Sequence, residues 1–232
     1  MIVGGGLIAN AFKNKNFDTS LLVFASGVSN SKTLCIEDCV REMDLMKEYL
    51  SSNEDDKTFL YFSTYSIDNP FEKDSPYVIH KLSTENYIKN NSNNYLIIRT
   101  GNIVGKSKNN STIFNYIFQK VRNSEQFELW TNAKRNFLDV DHLVMMVNEL
   151  IKEGRCNEVI YLLNPVDVSV IELLGKIEKF LEKKAIYKPV DKESIVVGID
   201  KTLSGKLFNQ LGITDDHYLD NLISKYCIDE KV

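Results

Sequence analysis

The chain has 232 residues, of which 43% are hydrophobic and 26% are charged, and its formal net charge is -4. This length supports one main domain with a small appendage, and this composition excludes disordered, collagen-like and membrane classes. The basic residues are scattered and no apolar stretch is long enough to span a bilayer, so we expect neither nucleic acid nor a membrane as a partner. Without a basic segment followed by an apolar run at the N-terminus, the expected location is the cytoplasm.

The cysteines and histidines show no ligand spacing. Cysteines stand at positions 35, 39, 156 and 227 and histidines at 80, 142 and 217, without a Cys-x-x-Cys pair. Cys35 and Cys39 could share a helix face, but two thiolates are only half of a structural zinc site. We expect neither a metal nor a disulfide framework.

The predicted strands alternate with helices. Residues 1–3 predict a very short strand, and a glycine turn leads into a helix from Leu7 to Lys13. Proline is well placed in a first helical turn, so a helix is expected to begin near Pro76. The other predicted strands are 21–25, 58–63, 95–99 and 159–163, and the other predicted helices are 36–50, 112–122, 141–152 and 169–183. Such alternation indicates an α/β fold with a Rossmann-like, doubly wound parallel sheet.

The C-terminal part predicts a small appendage. A strand is expected at 194–199 and helical segments at 201–211 and 217–226, with no low-complexity linker before them. We therefore divide the chain into a Rossmann-like core, residues 1–165, and a C-terminal helix with a substrate-binding appendage, residues 166–232.

A glycine motif stands between the first strand and the first helix. Gly4, Gly6 and Ala9 have the spacing G-x-G-x-x-A. Glycine lets the backbone turn tightly and approach a pyrophosphate, whose negative charge is favoured by the exposed N–H groups at a helix start. The alternative interpretation is an ordinary strand-to-helix turn.

Tyr77 and Lys81 are spaced i, i+4 near the start of a predicted helix, which places phenol and ammonium on one face. A nearby ammonium stabilises phenolate and is expected to lower the phenol pKa toward neutrality, as acid–base work on a carbonyl requires. The Thr64 hydroxyl, at the end of the preceding strand, could bond the same substrate oxygen, with Ser63 as the weaker candidate. Tyr-x-x-x-Lys alone also occurs by chance, so the order of these motifs carries the prediction.

These motifs resemble the extended short-chain dehydrogenases/reductases, which include nucleotide-sugar epimerases, 4,6-dehydratases and 4-ketoreductases. The resemblance covers most of the chain, and it runs through Gly-Gly-Gly-Leu-Ile-Ala at 4–9, Phe-Ala-Ser-Gly-Val-Ser at 24–29, Tyr-Phe-Ser-Thr at 61–64, Ser-Pro-Tyr-Val-Ile-His-Lys at 75–81, Ile-Ile-Arg-Thr-Gly-Asn-Ile-Val-Gly at 97–105 and Arg-Asn-Phe-Leu-Asp-Val-Asp-His-Leu-Val at 135–144.

The resemblance implies roles for individual residues. Tyr77 would transfer a proton, Lys81 would bind the nicotinamide ribose, and Thr64 would complete the triad. The implied contacts to NAD or NADP are Gly4, Gly6, Leu7, Ile8, Ala25, Ser26, Gly27, Lys81 and Thr100. Asn102 and Arg135 would contact a nucleotide-sugar substrate, although Arg135 could equally be a surface charge. A homodimer through the helices near 36–50 and 76–89 is typical of the family.

The chain departs from the family pattern in two places. Only about residues 14–20 connect the first helix to the strand at 21–25, which leaves no room for a βαβ crossover, so the usual second and third strands should be missing. The acidic residue that holds the adenosine ribose cannot then be assigned. Tyr65 and Ser66 also replace the Asp-Glu pair that follows the threonine in 4,6-dehydratases.

Three functions remain open at this point. The first is NAD(P)-dependent reduction of a keto group on a nucleotide-activated sugar, in polysaccharide or glycan precursor synthesis. The second is a nucleotide-sugar epimerase that uses the same triad in both directions. The third is a non-catalytic sugar-nucleotide binder that has lost its cofactor, which the missing strands suggest and the retained triad opposes.

Overall fold

A computed structural model describes residues 1–15, 19–28, 35–53, 57–107, 109, 112–192, 198–214 and 216–227. Within it the chain forms two compact units. The first contains Met1–Thr100 and Leu143–Leu162, and the second contains Gly101–His142 and Leu163–Val232. This division differs from the predicted boundary at residue 165 because the middle of the chain packs with the C-terminal part.

The helices and strands follow one another along the chain as β1 (Ile2–Val3), α1 (Leu7–Lys13), β2 (Leu21–Phe24), α2 (Ile36–Ser51), β3 (Thr58–Thr64), a short 3-10 helix (Tyr65–Asp68), α3 (Pro76–Asn91), β4 (Tyr95–Thr100), β5 (Asn102–Val104), α4 (Ile113–Arg122), β6 (Phe127–Trp130), β7 (Lys134–Arg135), β8 (Phe137–Asp139), α5 (Val140–Lys152), β9 (Glu158–Leu162), β10 (Val168–Ser169), α6 (Val170–Leu181), β11 (Tyr187–Val190), α7 (Thr202–Gln210) and α8 (Tyr218–Cys227).

The first unit is built on a parallel sheet in the order β1-β2-β3-β4-β9. Its strands read as nearly continuous apolar runs because a parallel sheet is covered on both faces. Phe24, Phe59 and Tyr61 are buried in its core together with Met46 of α2 and Ile88 of α3. The predicted α/β class with a parallel sheet is confirmed.

The edge position of β1 confirms the predicted loss of two strands. Among the described residues, β1 pairs only with β2, in the register Ile2 to Val23 and Val3 to Phe24. The segment between α1 and β2 is too short for a crossover, since parallel strands need a dozen or more connecting residues. The sheet therefore ends where the adenosine-binding strands of a complete Rossmann fold would continue it.

The described residues of the second unit form three short strand pairs and four complete helices. β5 pairs with β8 and β6 with β11 in parallel, and β7 pairs with β10 in the antiparallel sense. These strands have two to four residues each and were not predicted, because no periodic pattern can develop over so short a length. Helix α6 packs against both α4 and α8.

The predicted helices match the structure to within about two residues, because their boundaries carry local signals. Ser75, Thr112 and Ser169 each accept a hydrogen bond at a helix start, from the N–H groups of Val78, Asn115 and Glu172 respectively. Most of the strand predicted at 194–199 lies outside the described residues. None of the described helices combines the length and apolar character that crossing a membrane requires.

Candidate active site

A glycine turn follows β1 and passes close to the end of β2. Gly4 has a φ of +124°, and a Cβ at this position would lie 2.4 Å from the carbonyl oxygen of Ala25. Both the backbone conformation and the close contact therefore require glycine. At Gly5 and Gly6, by contrast, a Cβ would have no heavy atom within 4 Å. The turn thus packs tightly against the end of β2 at Gly4, and it leaves free space beside Gly5 and Gly6.

Leu7 and Ile8, which the resemblance assigns to the cofactor, are half-buried in the first turn of α1.

A second turn, Ala25 to Gly27, follows β2. Ala25 donates its N–H to the carbonyl of Val3 at 2.9 Å, which keeps the two turns side by side. A Cβ at Gly27 would lie 2.8 Å from Nζ of Lys81. Glycine at this position therefore lets the backbone approach the Lys81 ammonium directly, and two predicted site residues from distant parts of the chain are in contact.

Tyr77 and Thr64 meet at the carboxyl end of β3. Thr64 is the last residue of β3, and Tyr77 is the second residue of α3, whose start is capped by Ser75. The Thr64 hydroxyl lies close enough to the Tyr77 phenol to lower its pKa, and the Thr64 hydroxyl oxygen accepts the N–H of Ser66 at 3.1 Å. The structure brings together the two hydroxyls that the sequence assigns to the same substrate oxygen.

Ser63 points to a different set of partners. Its hydroxyl donates to Oε1 of Glu85 at 2.6 Å, and Glu85 also forms a double hydrogen bond with Arg99, at 2.9 and 2.8 Å. Arg99 continues to the Tyr161 hydroxyl, which bonds Asp68. We call these five residues the Arg99 cluster. Because its hydroxyl is committed to this buried network, Ser63 is the weaker candidate for substrate contact.

Lys81 is almost completely buried, with 2% of its surface exposed, beside a fully buried carboxylate. Its ammonium donates to Oε1 of Glu42 at 3.2 Å and to the hydroxyl of Tyr61 at 2.9 Å. Tyr61 itself donates to Glu42 at 2.7 Å, and His80 Nε2 lies 3.0 Å from Oε2 of the same carboxylate. We call Glu42, Tyr61, His80 and Lys81 the Lys81 cluster.

Sequence reasoning missed Glu42, Tyr61 and His80. A local signal existed for Glu42, which stands four residues before the buried Met46 and so lies on the apolar face of α2. A carboxylate at such a position needs a buried partner. The partner, 39 residues further along the chain, could not be identified from the spacing alone.

The charges of the Lys81 cluster reverse one expectation. Burial and the negative charge of Glu42 raise the pKa of Tyr77 to about 12, against the opposing hydrogen bond from Thr64. Burial also lowers the pKa of Lys81, which Glu42 opposes. The predicted lowering of the tyrosine pKa by Lys81 does not occur in this structure, because the ammonium is paired with a carboxylate. At neutral pH Tyr77 is a phenol, able to donate a proton.

Glu42 holds its negative charge despite complete burial. Burial alone would raise its pKa, but the hydrogen bond with His80, the charge of Lys81 and the N–H of Val28 together lower it to about 2. The cluster therefore contains a paired cation and anion next to a neutral phenol.

Two other predicted cofactor contacts have partners of their own. Thr100 is buried, and its hydroxyl donates to the carbonyl of Leu162 at 2.9 Å, which ties β4 to β9. The Ser26 hydroxyl accepts a hydrogen bond from Arg41 at 3.1 Å. The assignment of both residues to a cofactor stays a prediction.

The two predicted substrate residues lie in the second unit. The Asn102 side chain donates to the carbonyl of Asn136 at 3.1 Å, beside the β5–β8 pair. Arg135 is half-buried, and its guanidinium carbon lies 5.9 Å from the centre of the Trp130 ring. Lys192 approaches the same ring to 4.2 Å, so two cations flank one indole.

Nothing in the described part of the chain resembles a metal centre, since no three of its His, Cys, Asp and Glu side chains are grouped to hold an ion. None of the cysteines at 35, 39, 156 and 227 forms a disulfide bond.

Comparison with known proteins relates part of the chain to one family. Residues 51–162 match the NAD dependent epimerase/dehydratase family, and this segment contains Thr64, Tyr77 and Lys81. A search of the curated proteins found no significant match.

Solved structures share the fold at low sequence identity. The chain is similar to RMD from Pseudomonas aeruginosa complexed with NADPH, with 15% identity, a TM-score of 0.68, and coverage of 92% of this chain and 82% of that one. UDP-glucuronic acid 4-epimerase from Bacillus cereus, in complex with UDP-glucuronic acid and NAD, has 17% identity, a TM-score of 0.68, and coverages of 89% and 74%.

A third similar structure is UDP-N-acetylglucosamine 4-epimerase from Methanobrevibacter ruminantium in complex with UDP-N-acetylmuramic acid, with 18% identity, a TM-score of 0.69, and coverages of 92% and 78%. At these identities the likeness establishes the fold alone. The family match over residues 51–162 supports the resemblance stated from the motifs, and the solved structures add the shared fold.

Proposed function

We propose that the protein is an NAD(P)-dependent enzyme that reduces a keto group on a nucleotide-activated sugar. The observation that carries this proposal is the arrangement of Thr64 at the carboxyl end of β3, Tyr77 in the first turn of α3, and the Lys81 ammonium 6.0 Å from the centre of the Tyr77 ring. A neutral phenol is the group that a reduction needs, because the oxygen of the former carbonyl must receive a proton. The family match over residues 51–162 and the nucleotide sugars bound by similar structures support the substrate class.

The residues present fit a nicotinamide cofactor over part of its length. At Gly4 and Gly27 a side chain would collide with other residues of the same chain. Gly5 and Gly6 leave space beside the turn that follows β1. The Lys81 ammonium has three donors, of which two are used by Glu42 and Tyr61, so a third can bind a ribose hydroxyl. The edge position of β1 offers no strand for the adenosine ribose. We therefore expect weak binding of that end.

The chain's own residues would bind the keto oxygen and then supply a proton to it. Thr64 and Tyr77 would bind the keto oxygen through their hydroxyls and polarise the carbonyl. A bound reduced nicotinamide would supply the hydride. Tyr77 would then donate its proton to the forming alkoxide. In the second unit, Arg135 and Asn102 are the proposed contacts to the nucleotide diphosphate and the sugar.

Epimerisation is the second candidate, and the family name and the similar 4-epimerases favour it. An epimerase must also use the tyrosine as a base to remove a hydroxyl proton, and a phenol with a pKa of about 12 is a poor base at neutral pH. We therefore rank reduction first. A tightly bound cofactor that co-purifies with the protein would reverse this order.

The proposal is tested by titrating the protein with NADH and NADPH and following nicotinamide fluorescence. Gly6→Asp should abolish saturable binding without disturbing the fold, because its side chain would occupy open space and carry a negative charge toward the cofactor phosphates. Gly175→Asp, on the exposed face of α6, adds the same charge elsewhere and should bind normally. Tyr77→Phe should also bind normally and fail to reduce keto-sugar nucleotides.

If folded wild-type protein binds neither cofactor form, the enzyme proposal is wrong and the non-catalytic binder replaces it. Binding that is lost in Gly6→Asp alone would justify a screen of keto-sugar nucleotides, with NADPH or NADH consumption as the signal.

The proposed assembly is a homodimer in the cytoplasm, formed through α2 and α3. Ile36 and Val40 on α2 are 75% and 53% exposed, and Ile79 on α3 is 53% exposed. Exposed apolar side chains on neighbouring helices are typical of an interface. Sedimentation or light scattering should give twice the chain mass, and a strict monomer at all concentrations would contradict the dimer.

A further inference from the structure

The Glu42 carboxylate is the centre of the Lys81 cluster and has no part in the mechanism so far. It is fully buried and has four hydrogen-bonding partners. These are the Val28 N–H at 2.6 Å, the Tyr61 hydroxyl at 2.7 Å, His80 Nε2 at 3.0 Å and the Lys81 ammonium at 3.2 Å. A carboxylate supplied with this many donors is held in its charged form.

The same contacts direct Lys81 toward Tyr61 and Glu42. Nζ of Lys81 lies 2.9 Å from the Tyr61 hydroxyl and 4.9 Å from the centre of that ring, but 6.0 Å from the centre of the Tyr77 ring. The positive charge of Lys81 near Tyr77 is therefore already balanced by a buried negative charge. A phenolate at Tyr77 would face a neutral pair instead of an isolated cation.

We infer that Glu42 is a positioning residue that keeps Tyr77 in its protonated form, so that the site retains its proton donor for keto reduction up to high pH. This inference rests on the proposed function. In the reductive direction the carbonyl carbon gains a hydride from reduced nicotinamide, the π electrons move to oxygen, and that oxygen takes the proton of the Tyr77 hydroxyl. The reverse reaction needs the Tyr77 phenolate at the start, and Glu42 makes that form costly.

The groups that face Tyr77 agree with this role. Burial is the largest influence that raises its pKa to about 12, Glu42 is the next, and Glu72 in the preceding turn adds to it. Thr64 acts in the opposite direction through its hydrogen bond. The Lys81 ammonium beside Tyr77 is in turn influenced by Cys39 on α2 and Glu85 on α3, and Tyr61 on β3 and His80 on α3 also face Glu42. Of the two carboxylates that raise the Tyr77 pKa, Glu42 has the stronger influence.

The test measures the ionisation of Tyr77 by NMR of protein labelled at tyrosine Cζ, with Tyr77→Phe to assign the signal. In the wild type less than about a tenth of Tyr77 should be ionised at pH 11. In Glu42→Gln the pKa should fall by about one unit, so that about half is ionised at the same pH. Glu85→Gln is the matched control, because it removes an equally buried carboxylate from the Arg99 cluster and should leave the Tyr77 signal unchanged.

Cofactor binding, measured by nicotinamide fluorescence on the same samples, separates the two proposals. A fall in the Tyr77 pKa without any cofactor binding would support the role of Glu42 and contradict the proposed function. Unchanged ionisation in a folded Glu42→Gln protein would overturn the inference, whatever its cofactor binding. If that variant does not fold, Glu42→Asp keeps the charge and should retain the high pKa, and a fall of one unit there would also overturn it.

On a confirmed substrate, the alkaline limb of the pH profile of kcat for keto reduction should move about one pH unit lower in Glu42→Gln and stay in place in Glu85→Gln. A purely structural role of Glu42 would lower kcat at every pH and leave that limb in place, which would also overturn the inference.

Discussion

The Lys81 cluster and the Arg99 cluster are made of the same parts. Each contains a fully buried glutamate, a basic side chain that pairs with it, and a tyrosine hydroxyl hydrogen-bonded to that basic side chain. The basic residue is different. Arg99 holds Glu85 through two parallel hydrogen bonds and, although burial opposes its charge, that pairing raises its pKa further above its ordinary value. Burial instead lowers the pKa of Lys81.

A buried ion pair can therefore serve two purposes, depending on which basic residue it contains. A guanidinium stays charged and fixes planar geometry, so the Arg99 cluster ties α3, β4 and β9 together and does no acid–base work. An ammonium is a point charge whose pKa responds to burial, so the Lys81 cluster can adjust a neighbouring phenol. The predictions below test whether the two clusters are separate in this way.

The largest expected effect is on kcat, and it should distinguish Tyr77 from Tyr161. Tyr77→Phe removes the proton donor and should lower kcat on a keto-sugar nucleotide by about 10²- to 10⁴-fold without changing NADH affinity. Tyr161→Phe removes a hydroxyl from the Arg99 cluster and should change kcat by less than about threefold. Steady-state kinetics on both variants checks this, and equal losses would mean that the Arg99 cluster belongs to the active site.

The next effect concerns stability. Arg99→Met leaves the buried Glu85 without its main partner and should lower the free energy of unfolding by about 3–5 kcal/mol. The Arg155–Glu158 pair is also doubly hydrogen-bonded but about one-third exposed, so Arg155→Met should cost less than about 1 kcal/mol. Urea unfolding measures both values, and similar small losses would show that the Arg99 pair is not a structural tie.

Acid should weaken the Lys81 cluster through Glu42. Because its folded pKa of about 2 lies below the usual 4.5, ionisation of Glu42 contributes stability above pH 4.5 that is lost as the pH falls toward 2. The full contribution is about 3 kcal/mol, of which about 2 kcal/mol should be lost by pH 3. Urea unfolding at pH 6 and pH 3 should show this fall in the wild type and a smaller one in Glu42→Gln, and equal falls would contradict it.

The smallest expected effects are changes in stability when either of two glycines is replaced by alanine. Gly27→Ala would place a methyl group 2.8 Å from Nζ of Lys81, which should cost about 1–3 kcal/mol of stability and weaken NADH binding. Gly175→Ala lies on an exposed helix surface with no atom within 4 Å, and should stabilise the protein by about 0.5–1 kcal/mol. Thermal unfolding distinguishes the signs, and a neutral Gly27→Ala would mean that Lys81 moves aside freely.

Local patterns in the sequence determined the main elements and one half of the site. The positions of α1, α2 and α3 follow from caps, proline and apolar spacing, all of which act within a few residues. Thr64 ends a strand and Tyr77 begins the next helix, so their meeting at the carboxyl edge of a parallel sheet could be predicted. The loss of two strands also follows from sequence, since the connection before β2 is too short for a crossover.

Only the tertiary structure decided the electrostatic state of the site. Glu42 reaches Lys81 across 39 residues of chain, and Ser63 reaches Glu85 across 22, and neither distance has a local signal. The short strands of the second unit pair in the same non-local way. The pKa of Tyr77 depends on burial and on which charges surround the phenol, and these are properties of the packed protein. For this reason the sequence identified the tyrosine, while the fold determined that it is a proton donor.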